Sequence, residues 1–304
     1  GQLLITGADR LRLLQRTTVG STVRKSKPGI TECYLTMFLN ERGGIIDDAI
    51  ATNLESEQAV RIVVNGANKY TVLQHLQGVV ASEQLKVEVR LLEENGQIAL
   101  QGPKSAEVLQ GLIQGVSLPE VPFMSQFTAQ FNGLPYTITR SGYTGEDGFE
   151  IAAPNEHIVK ITQALLANPA VELAGLGSRD SLRLEAGLCL HGHDINPHTT
   201  PLEGALTWTI HKRKAGDDRL RFIGEEALAQ LSEDVRSKKR TIRKRVGFVV
   251  SEPGVIREHC KVFTKDGREV GETTSGSPSP TLKKSIGMAY VEQSVSAEET
   301  ELLA

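Results

Sequence analysis

The sequence predicts an α+β protein that ends in an all-β region. Segments with strand and helix periodicity alternate through the first two thirds of the chain, which favours packed helices and sheets over a helical bundle. Beyond about residue 240 nearly every segment has strand character. The chain has 304 residues, 39% of them apolar, which is enough for two or three domains of about 100–200 residues.

The N-terminal elements follow from local periodicity. Apolar spacing predicts a helix that starts after Asp9, and the run 59–64 is typical of a strand. A second helix is expected to begin at Asn68, directly after a Gly/Asn turn. A further strand then leads through a turn at Gly102-Pro103 into a third helix.

A hairpin and a capped helix are expected in the middle of the chain. Two alternating runs flank Asn132-Gly133, the dipeptide most typical of a tight hairpin turn. Asn155 is the expected N-cap of the next helix. The apolar face of that helix consists of Ile158, Ile161 and Leu165.

The last third of the chain begins with helices and then turns to strands. A helix is expected from Ser178 to about Ala186, closed by Gly187. A short helix over 223–231 lies between two strongly basic runs, and β-rich segments follow it. One of these forms a hairpin at Asp266-Gly267. We therefore expect a third, all-β domain from about residue 218.

Composition excludes several classes of protein. The net charge of −3 gives no general attraction to nucleic acid or to anionic membranes. No run of about 18 apolar residues is present, so no membrane-spanning helix is expected. Three widely separated cysteines, Cys33, Cys189 and Cys260, favour neither a disulfide framework nor a zinc site and fit a reducing compartment.

Two adjacent aspartates, Asp47 and Asp48, follow a glycine turn and a pair of isoleucines. Neighbouring side chains on a strand point to opposite faces, so one of the two is expected to face a core or a cavity. A buried carboxylate is costly unless it is paired or takes part in chemistry. The alternatives are a twisted edge strand on which both are exposed, or a local bond to a backbone N–H.

The stretch "RSGYTGEDGFEI", residues 140–151, combines three glycines with three acids and a tyrosine. Tyr143 can stack on a flat ring or donate its hydroxyl hydrogen. Glu150 lies between two apolar residues, which is also the ordinary pattern of a solvent-facing strand position. Glu146 and Asp147 are expected to be solvated turn residues.

Charged residues are concentrated in the segment after residue 177. Arg179 and Arg183 lie four apart on one helical face. Arg179 falls in the first turn, where the helix dipole disfavours a cation, and a role in holding a carboxylate is one alternative. Nearby histidines follow the spacing H-x-H-D-x-x-x-H, which is not a strong zinc pattern, so no metal is expected. These residues are His191, His193, Asp194 and His198.

Eight segments, taken in order, resemble a single family over essentially the whole chain. They are "GGIIDD", "ALQGP", "RSGYTGEDGFEI", "RDSLRLEAGLCLHGHDI", "TTPLEGALTW", "FIG", "RVGF" and "TSGSPSPTLKKSIGMAYV". Together they are similar to aminomethyltransferases, the T-proteins of the glycine cleavage system. The family sequence extends beyond both ends of this chain, so the resemblance implies a piece of a longer protein.

The resemblance implies a three-domain cloverleaf around a central site for tetrahydrofolate, the co-substrate, and no metal. The implied domains are 1–90, which carries the catalytic aspartate, 91–217, which binds folate, and 218–304, a β-barrel-like domain. The implied reaction moves a one-carbon unit from the aminomethyl-lipoyl group of H-protein to tetrahydrofolate, which yields 5,10-methylenetetrahydrofolate and ammonia. The mitochondrial matrix is the implied compartment, with neither nucleic acid nor membrane as a partner.

The resemblance also assigns residues. The family's essential aspartate matches Asp48, and its folate-contacting residues match Tyr143, Glu150, Arg179 and Asn65. In this interpretation Glu150 accepts two N–H groups from the pterin ring, and the glycines of 140–151 let the backbone pass close to the ligand. Asp48 stabilises the positive charge that develops as ammonia leaves, and it positions the attacking folate nitrogen.

Two alternatives accompany this interpretation. The same scaffold occurs as the C-terminal module of dimethylglycine and sarcosine dehydrogenase-like flavoenzymes, which also bind folate. The basic runs 212–214 and 236–245 are either a docking surface for an acidic partner such as H-protein or simply a solvated basic face.

Overall fold

The computed structural model describes residues 1–20, 26–27, 29–211 and 221–304. The helices are α1 Arg10–Thr17, α2 Lys69–Ser82, α3 Ser105–Gln110, α4 Asn155–Leu166, α5 Leu176–Glu185 and α6 Glu225–Arg236. The strands are β1 Gln2–Thr6, β2 Ser26–Lys27, β3 Ile30–Leu39, β4 Ile45–Leu54, β5 Ala59–Val64, β6 Glu88–Leu91, β7 Asn95–Gln101, β8 Ile113–Gln114, β9 Ser125–Phe131, β10 Leu134–Arg140, β11 Gly148–Pro154, β12 Arg243–Val249, β13 Lys261–Phe263, β14 Glu269–Ser279 and β15 Lys284–Glu292. Short 3-10 helices cover Glu55–Glu57, Gly66–Asn68, Leu118–Glu120, Thr207–Thr209 and Gln293–Val295.

These elements form two compact units within the described residues. The first comprises residues within 1–14, 21–36 and 49–179, and the second comprises residues within 15–20, 37–48 and 180–304. Helices and strands alternate in the first unit, and a four-stranded sheet ends the second. The predicted α+β class and the C-terminal all-β region are thus confirmed. The division at 90/91 and 217/218 stays a prediction.

The large sheet contains eleven strands in the described part of the chain. Nine of them follow the order β6-β1-β5-β4-β3-β9-β10-β11-β7, while β2 pairs with β3 and β8 with β9. The pairs with defined register are antiparallel; Thr52 lies opposite Arg61, and Thr139 lies opposite Glu150. The predicted hairpin at Asn132-Gly133 joins β9 to β10.

In the first unit this sheet curls back on itself. β6 and β7 stand at opposite ends of the strand order, but only residues 92–94 separate them in the chain. Such a connection reaches about 14 Å when extended, whereas eight strand spacings of about 4.8 Å would put the ends of a flat sheet about 38 Å apart. The side chain of Gln2 on β1 also donates its Nε2–H to the Gly96 carbonyl on β7 at 3.1 Å. The two ends of the sheet therefore meet.

One face of the curled sheet is apolar and carries helices. Phe149 and Ile151 on β11 are fully buried and belong to one cluster with Ile161 and Leu165 of α4. The predicted apolar face of α4 is therefore confirmed. The expected N-cap is wrong, because α4 begins at Asn155 itself, whose side chain donates to the Glu93 carbonyl at 2.9 Å. The amide thus anchors the helix to the β6–β7 connection instead of capping its own backbone.

The opposite face of the sheet carries polar side chains in a continuous row. Thr52 lies opposite Arg61 and contacts the Cys33 thiol at 3.1 Å. Cys33 shares a face of β3 with Thr31, since strand side chains alternate. From there the register runs through opposed pairs to β11, namely Thr31 with Gln126, Gln126 with Thr139 and Thr139 with Glu150. We call these seven residues, 31, 33, 52, 61, 126, 139 and 150, the polar row.

A buried ion pair organises the second unit. Arg183 on α5 is 2% exposed, and its Nη1 donates to Oδ2 of the fully buried Asp194 at 2.6 Å. Asp194 Oδ1 accepts hydrogen bonds from the hydroxyls of Thr274 and Ser275 on β14, at 2.5 and 2.8 Å. The Tyr290 hydroxyl on β15 donates to the Asp194 carbonyl at 2.8 Å. The pair thus ties α5 to the sheet β12-β15-β14-β13.

Candidate functional site

The two adjacent aspartates lie on opposite faces of β4. Asp47 continues the face of Ile45 and is fully buried, whereas Asp48 continues the face of Ile46 and is half-buried. The prediction that one of them faces inward is therefore confirmed, and the inward residue is Asp47. Its Oδ1 lies 3.9 Å from Nδ1 of His191.

A tight turn fixes the start of the strand that carries Asp48. Asn40 Oδ1 accepts the backbone N–H groups of Arg42 and Gly44, and Asn40 Nδ2 donates to the Pro197 carbonyl at 2.9 Å. A Cβ atom on Gly44 would lie 1.9 Å from that carbonyl oxygen, so only glycine fits there. Asp48 thus stands four residues beyond an anchored glycine.

The charge of Asp48 acts on a neighbouring thiol. The pKa of Cys189 is raised to about 11, mainly by burial; the guanidinium of Arg245 lowers it, and the Asp194 and Asp48 carboxylates contribute to the increase. Asp48 and the segment around Cys189 therefore lie within electrostatic range of each other. A half-buried carboxylate at this position can stabilise a positive charge on a bound substrate.

Several hydrogen bonds of Arg140 hold the stretch 140–151 in place. Arg140 donates two hydrogen bonds to the Asp147 carboxylate, from Nε at 2.9 Å and from Nη2 at 2.7 Å. Its Nη1 also donates to the carbonyls of Leu118 and Val121. The expectation that Asp147 is a solvated turn residue is therefore wrong. The Arg140 guanidinium lowers the pKa of the Asp147 carboxyl, mainly through these hydrogen bonds. Glu146, by contrast, is exposed as predicted.

Two glycines in this stretch, Gly142 and Gly148, leave room for the side chain of Gln101. A Cβ atom on Gly142 or Gly148 would lie 1.8 or 2.3 Å from Oε1 of Gln101. Gln101 Nε2 donates to the Ser141 carbonyl at 3.0 Å. The close approach that these glycines permit is thus to Gln101, whereas the sequence interpretation expected an approach to a ligand.

Glu150 lies on the polar face of β11, opposite Thr139 and Ala99 on the neighbouring strands. It is half-buried, and its Oε2 accepts the Ser141 hydroxyl at 2.8 Å. Both flanking residues belong to the apolar core on the other face. The carboxylate is therefore held in one orientation and retains acceptor capacity for a ligand.

Tyr143 and Arg179 form a pair. The Arg179 guanidinium carbon lies 4.6 Å from the centroid of the Tyr143 ring. Arg179 is exposed in the first turn of α5, which has no acidic residue there. A cation over an aromatic face is an attractive arrangement, and it gives this arginine a partner at an end of the helix that otherwise disfavours it.

Asn65 directly follows β5, in the connection that leads to α2. It is half-buried and precedes the 3-10 helix Gly66–Asn68, and its carbonyl accepts the Asn68 N–H at 3.0 Å. Asn65, Tyr143, Glu150 and Arg179 all belong to the first unit, and Asp48 belongs to the second.

Arg61 is a polar residue of the first unit that sequence reasoning did not single out. It is 8% exposed on β5, and it donates a short hydrogen bond from Nη2 to Oε1 of Gln2. Its Nε–H is buried and has no hydrogen-bond partner in the described part of the chain. The available indication was an arginine inside the apolar run "AVRIVV".

The histidine-rich loop is occupied by other interactions. His193 bonds to Glu258, His191 lies near Asp47, and Asp194 pairs with Arg183. Within residues 1–20, 26–27, 29–211 and 221–304 no group of three or more potential metal ligands occurs.

No helix among the described residues is long and apolar enough to cross a membrane.

Of the two basic runs, 212–214 and 236–245, the structure describes only the second. Residues 212–214 lie outside the described residues. In the second run Arg236, Lys238, Lys239 and Arg240 are exposed. Arg245 is instead half-buried and donates to the Gly204 carbonyl at 2.9 Å.

Comparisons with known proteins match a single family along the chain. Residues 1–214 match the GCVT N-terminal domain, and residues 243–304 match the glycine cleavage T-protein C-terminal barrel domain. The mitochondrial aminomethyltransferase of Homo sapiens is 40% identical over 306 residues, which cover 99% of this chain and 72% of the relative. The mitochondrial aminomethyltransferase of Solanum tuberosum is 40% identical over 295 residues, covering 95% and 69%.

A solved structure shows the same fold. The glycine cleavage system aminomethyltransferase T of Bartonella henselae superposes with a TM-score of 0.86 at 35% identity, over 99% of this chain and 78% of the other. Matches along nearly the whole chain favour this family over the flavoenzyme module. Curated relatives from animals, plants and a yeast are named mitochondrial, and the chain is a mitochondrial protein.

Proposed function

Since the chain belongs to the aminomethyltransferase family, the T-proteins of the glycine cleavage system, we propose that it transfers a one-carbon unit to tetrahydrofolate. The family makes it a transferase of glycine cleavage. The proposed donor is the aminomethyl group on the lipoyl sulfur of H-protein. Carbon moves to the two folate nitrogens, the amine leaves as ammonia, and the two folate N–H protons pass to the amine and to the lipoyl sulfur.

The polar groups of the first unit support folate binding. Glu150 presents a fixed carboxylate that can accept two parallel N–H groups from the amino-pyrimidinone edge of a pterin. Tyr143 offers an aromatic face, and Arg179, stacked on it at 4.6 Å, offers donors to a carboxylate or a polar ring edge. Asn65 adds an amide at the end of β5. The Glu150–Ser141 contact, which fixes an acceptor on the polar face, is the observation that carries the proposal.

Asp48 is proposed to act on charge. Loss of ammonia from the aminomethyl group leaves positive charge on carbon, and a carboxylate held beside it lowers the barrier. Asp48 is suited to this because its strand is anchored by the Asn40 turn and its side chain is half-buried. We propose that it also orients the attacking folate nitrogen.

H-protein is the proposed partner, and the exposed basic run 236–240 is a candidate docking surface for it. Charges of this kind raise association rates with an acidic partner. The alternative, a solvated basic face, predicts no effect of neutralising Lys238 and Lys239 on the KM for H-protein.

Calorimetric titration with tetrahydrofolate, under anaerobic conditions, tests the proposal. Asp48→Asn should bind tetrahydrofolate like the unaltered chain and lose transfer activity, whereas Glu150→Ala should lose binding. Glu146→Ala removes an exposed acid four residues away and serves as the matched control. Loss of a charge-assisted pair typically weakens binding by at least tenfold. Equal affinities for Glu150→Ala and Glu146→Ala would reject the assignment of Glu150.

A further inference from the structure

Arg61 is a buried cation with an unused donor. Its side chain is 8% exposed, and burial lowers its pKa, against the charges of Cys33, Glu57 and Glu150. One guanidinium nitrogen bonds to Gln2, which in turn donates to the Gly96 carbonyl across the closing ends of the sheet. The Nε–H, however, has no hydrogen-bond partner among the described residues. A buried donor without a partner is costly, and a bound acceptor removes that cost.

Arg61 and Glu150 face the same space. Both belong to the polar row, but five strand spacings of about 4.8 Å would put them about 24 Å apart on a flat sheet. The curl shortens this distance: Arg61 bonds to Gln2, Gln2 donates to the Gly96 carbonyl on β7, and β7 pairs with β11, the strand that carries Glu150. The effect of the Glu150 charge on Arg61 and on Cys33 agrees with this geometry. The polar face is therefore the inner face of the curl, and it brings the carboxylate and the guanidinium within electrostatic range of each other.

We propose that Arg61 is a ligand-binding residue that donates its Nε–H to the 4-oxo oxygen of the folate ring. The inference rests on the proposed function, because it takes Glu150 as the acceptor for the pterin. The amino-pyrimidinone edge presents two donors, the 2-amino group and N3–H, and then one acceptor, the 4-oxo oxygen. A carboxylate matches the two donors, and a guanidinium N–H matches the acceptor beside them.

This role makes Arg61 a specificity residue. A ring with a 4-amino group in place of the 4-oxo group turns the acceptor into a donor, which then opposes the Arg61 N–H. The same exchange also removes the N3 hydrogen that Glu150 would accept, so the contribution of Arg61 is the part of the discrimination that disappears when Arg61 is replaced. A purely structural Arg61, which only holds Gln2 and the closing ends of the sheet, would weaken both ligands equally when removed.

The experiment measures the affinities of tetrahydrofolate and of tetrahydroaminopterin, its 2,4-diamino counterpart, by anaerobic calorimetry on the full chain. Both titrations are run at pH 8. The variants are Arg61→Met and Arg61→Lys, with Arg90→Met as the matched control, because Arg90 is an exposed arginine on β6 of the same sheet. Arg61→Lys keeps the buried charge and provides the folded variant if Arg61→Met unfolds.

We expect Arg61→Met to weaken tetrahydrofolate at least about tenfold while the 4-amino analogue binds as before or more tightly. Arg61→Lys should lose part of the preference, and Arg90→Met none. An unchanged ratio of the two affinities in a folded Arg61 variant overturns the proposal. If tetrahydrofolate binds and depends on Glu150 while that ratio is unchanged, only the role of Arg61 fails. Absence of folate binding in the unaltered chain would instead reject the proposed function and this inference with it.

Discussion

The Arg183–Asp194 ion pair gives the sharpest stability prediction. Asp194 is fully buried and Arg183 is 2% exposed, so solvent cannot compensate either charge once the other is removed. Removing one partner of such a pair costs about 3–5 kcal/mol. We expect Asp194→Asn to lower the free energy of unfolding of the second unit by about that amount, because the amide leaves the guanidinium without its main counter-charge.

The control uses the other carboxylate on the same arginine. Asp180 also bonds to Arg183, at 2.8 Å, but its side chain is 44% exposed, so Asp180→Asn should cost no more than about 1 kcal/mol. Urea unfolding can be followed by the fluorescence of Trp208, the one tryptophan of the chain, which lies in the same unit, together with circular dichroism. Equal losses for the two variants would refute the reasoning. The double variant Arg183→Met/Asp194→Asn should regain part of the loss, since it leaves no unpaired buried charge and keeps an acceptor for Thr274 and Ser275.

Three further outcomes follow from other contacts. Because Arg140 lowers the pKa of Asp147, their pair stabilises the fold above the usual carboxyl pKa of about 4 and loses this contribution as the pH falls below it. Asp147→Asn should therefore cost about 1 kcal/mol at pH 7 and little at pH 2 in thermal unfolding. Gly44→Ala should destabilise by more than about 2 kcal/mol, because its Cβ meets a carbonyl oxygen at 1.9 Å, whereas Gly78→Ala, in an open position on α2, should stabilise by up to about 1 kcal/mol. Cys33, whose pKa burial raises to about 11, should resist iodoacetamide at pH 8 until the chain is unfolded, as mass spectrometry of the labelled peptide would show.

Local patterns predicted most of the elements. The helix after Asp9, the strand 59–64 and the hairpin at Asn132-Gly133 all appear where their periodicity and turn residues place them. These elements depend on interactions between residues close in sequence, which a short window contains. The curl of the sheet depends on pairings between distant strands, and no local pattern encodes it.

Contacts of single side chains were harder to predict than elements. Asp147 looks like a solvated turn residue, but Arg140, seven residues earlier, lies within reach of it in the folded chain. Asn155 is a residue type that is common at helix N-caps, but its side chain donates to the carbonyl of residue 93. Both errors have one cause: the partner of each side chain, Arg140 or the carbonyl at position 93, is brought within reach by the folded chain and is not contained in a local pattern.

The site residues came from resemblance more than from pattern. Periodicity showed that one of two aspartates faces inward, but the inward one is Asp47, whereas the proposed catalytic residue is Asp48 on the less buried face. Arg61 escaped notice because a single arginine in an apolar run has no distinctive spacing. Its environment depends on Gln2 and Glu150, which lie on strands far away in sequence.

The strand order also determines when the first unit can fold. β3 pairs with β9 through Ile30 and Phe127, so one edge of β3 stays unpaired during synthesis until almost a hundred further residues have been added to the chain. At a synthesis rate of about 5–20 residues per second this edge stays open for about 5–20 seconds. An open edge invites pairing with other chains, and the exposed charge of Glu32 on that segment of β3 opposes such pairing. Replacing Glu32 with an apolar residue should therefore lower the fraction of newly synthesised protein that is soluble, while the structure of the folded protein stays unchanged.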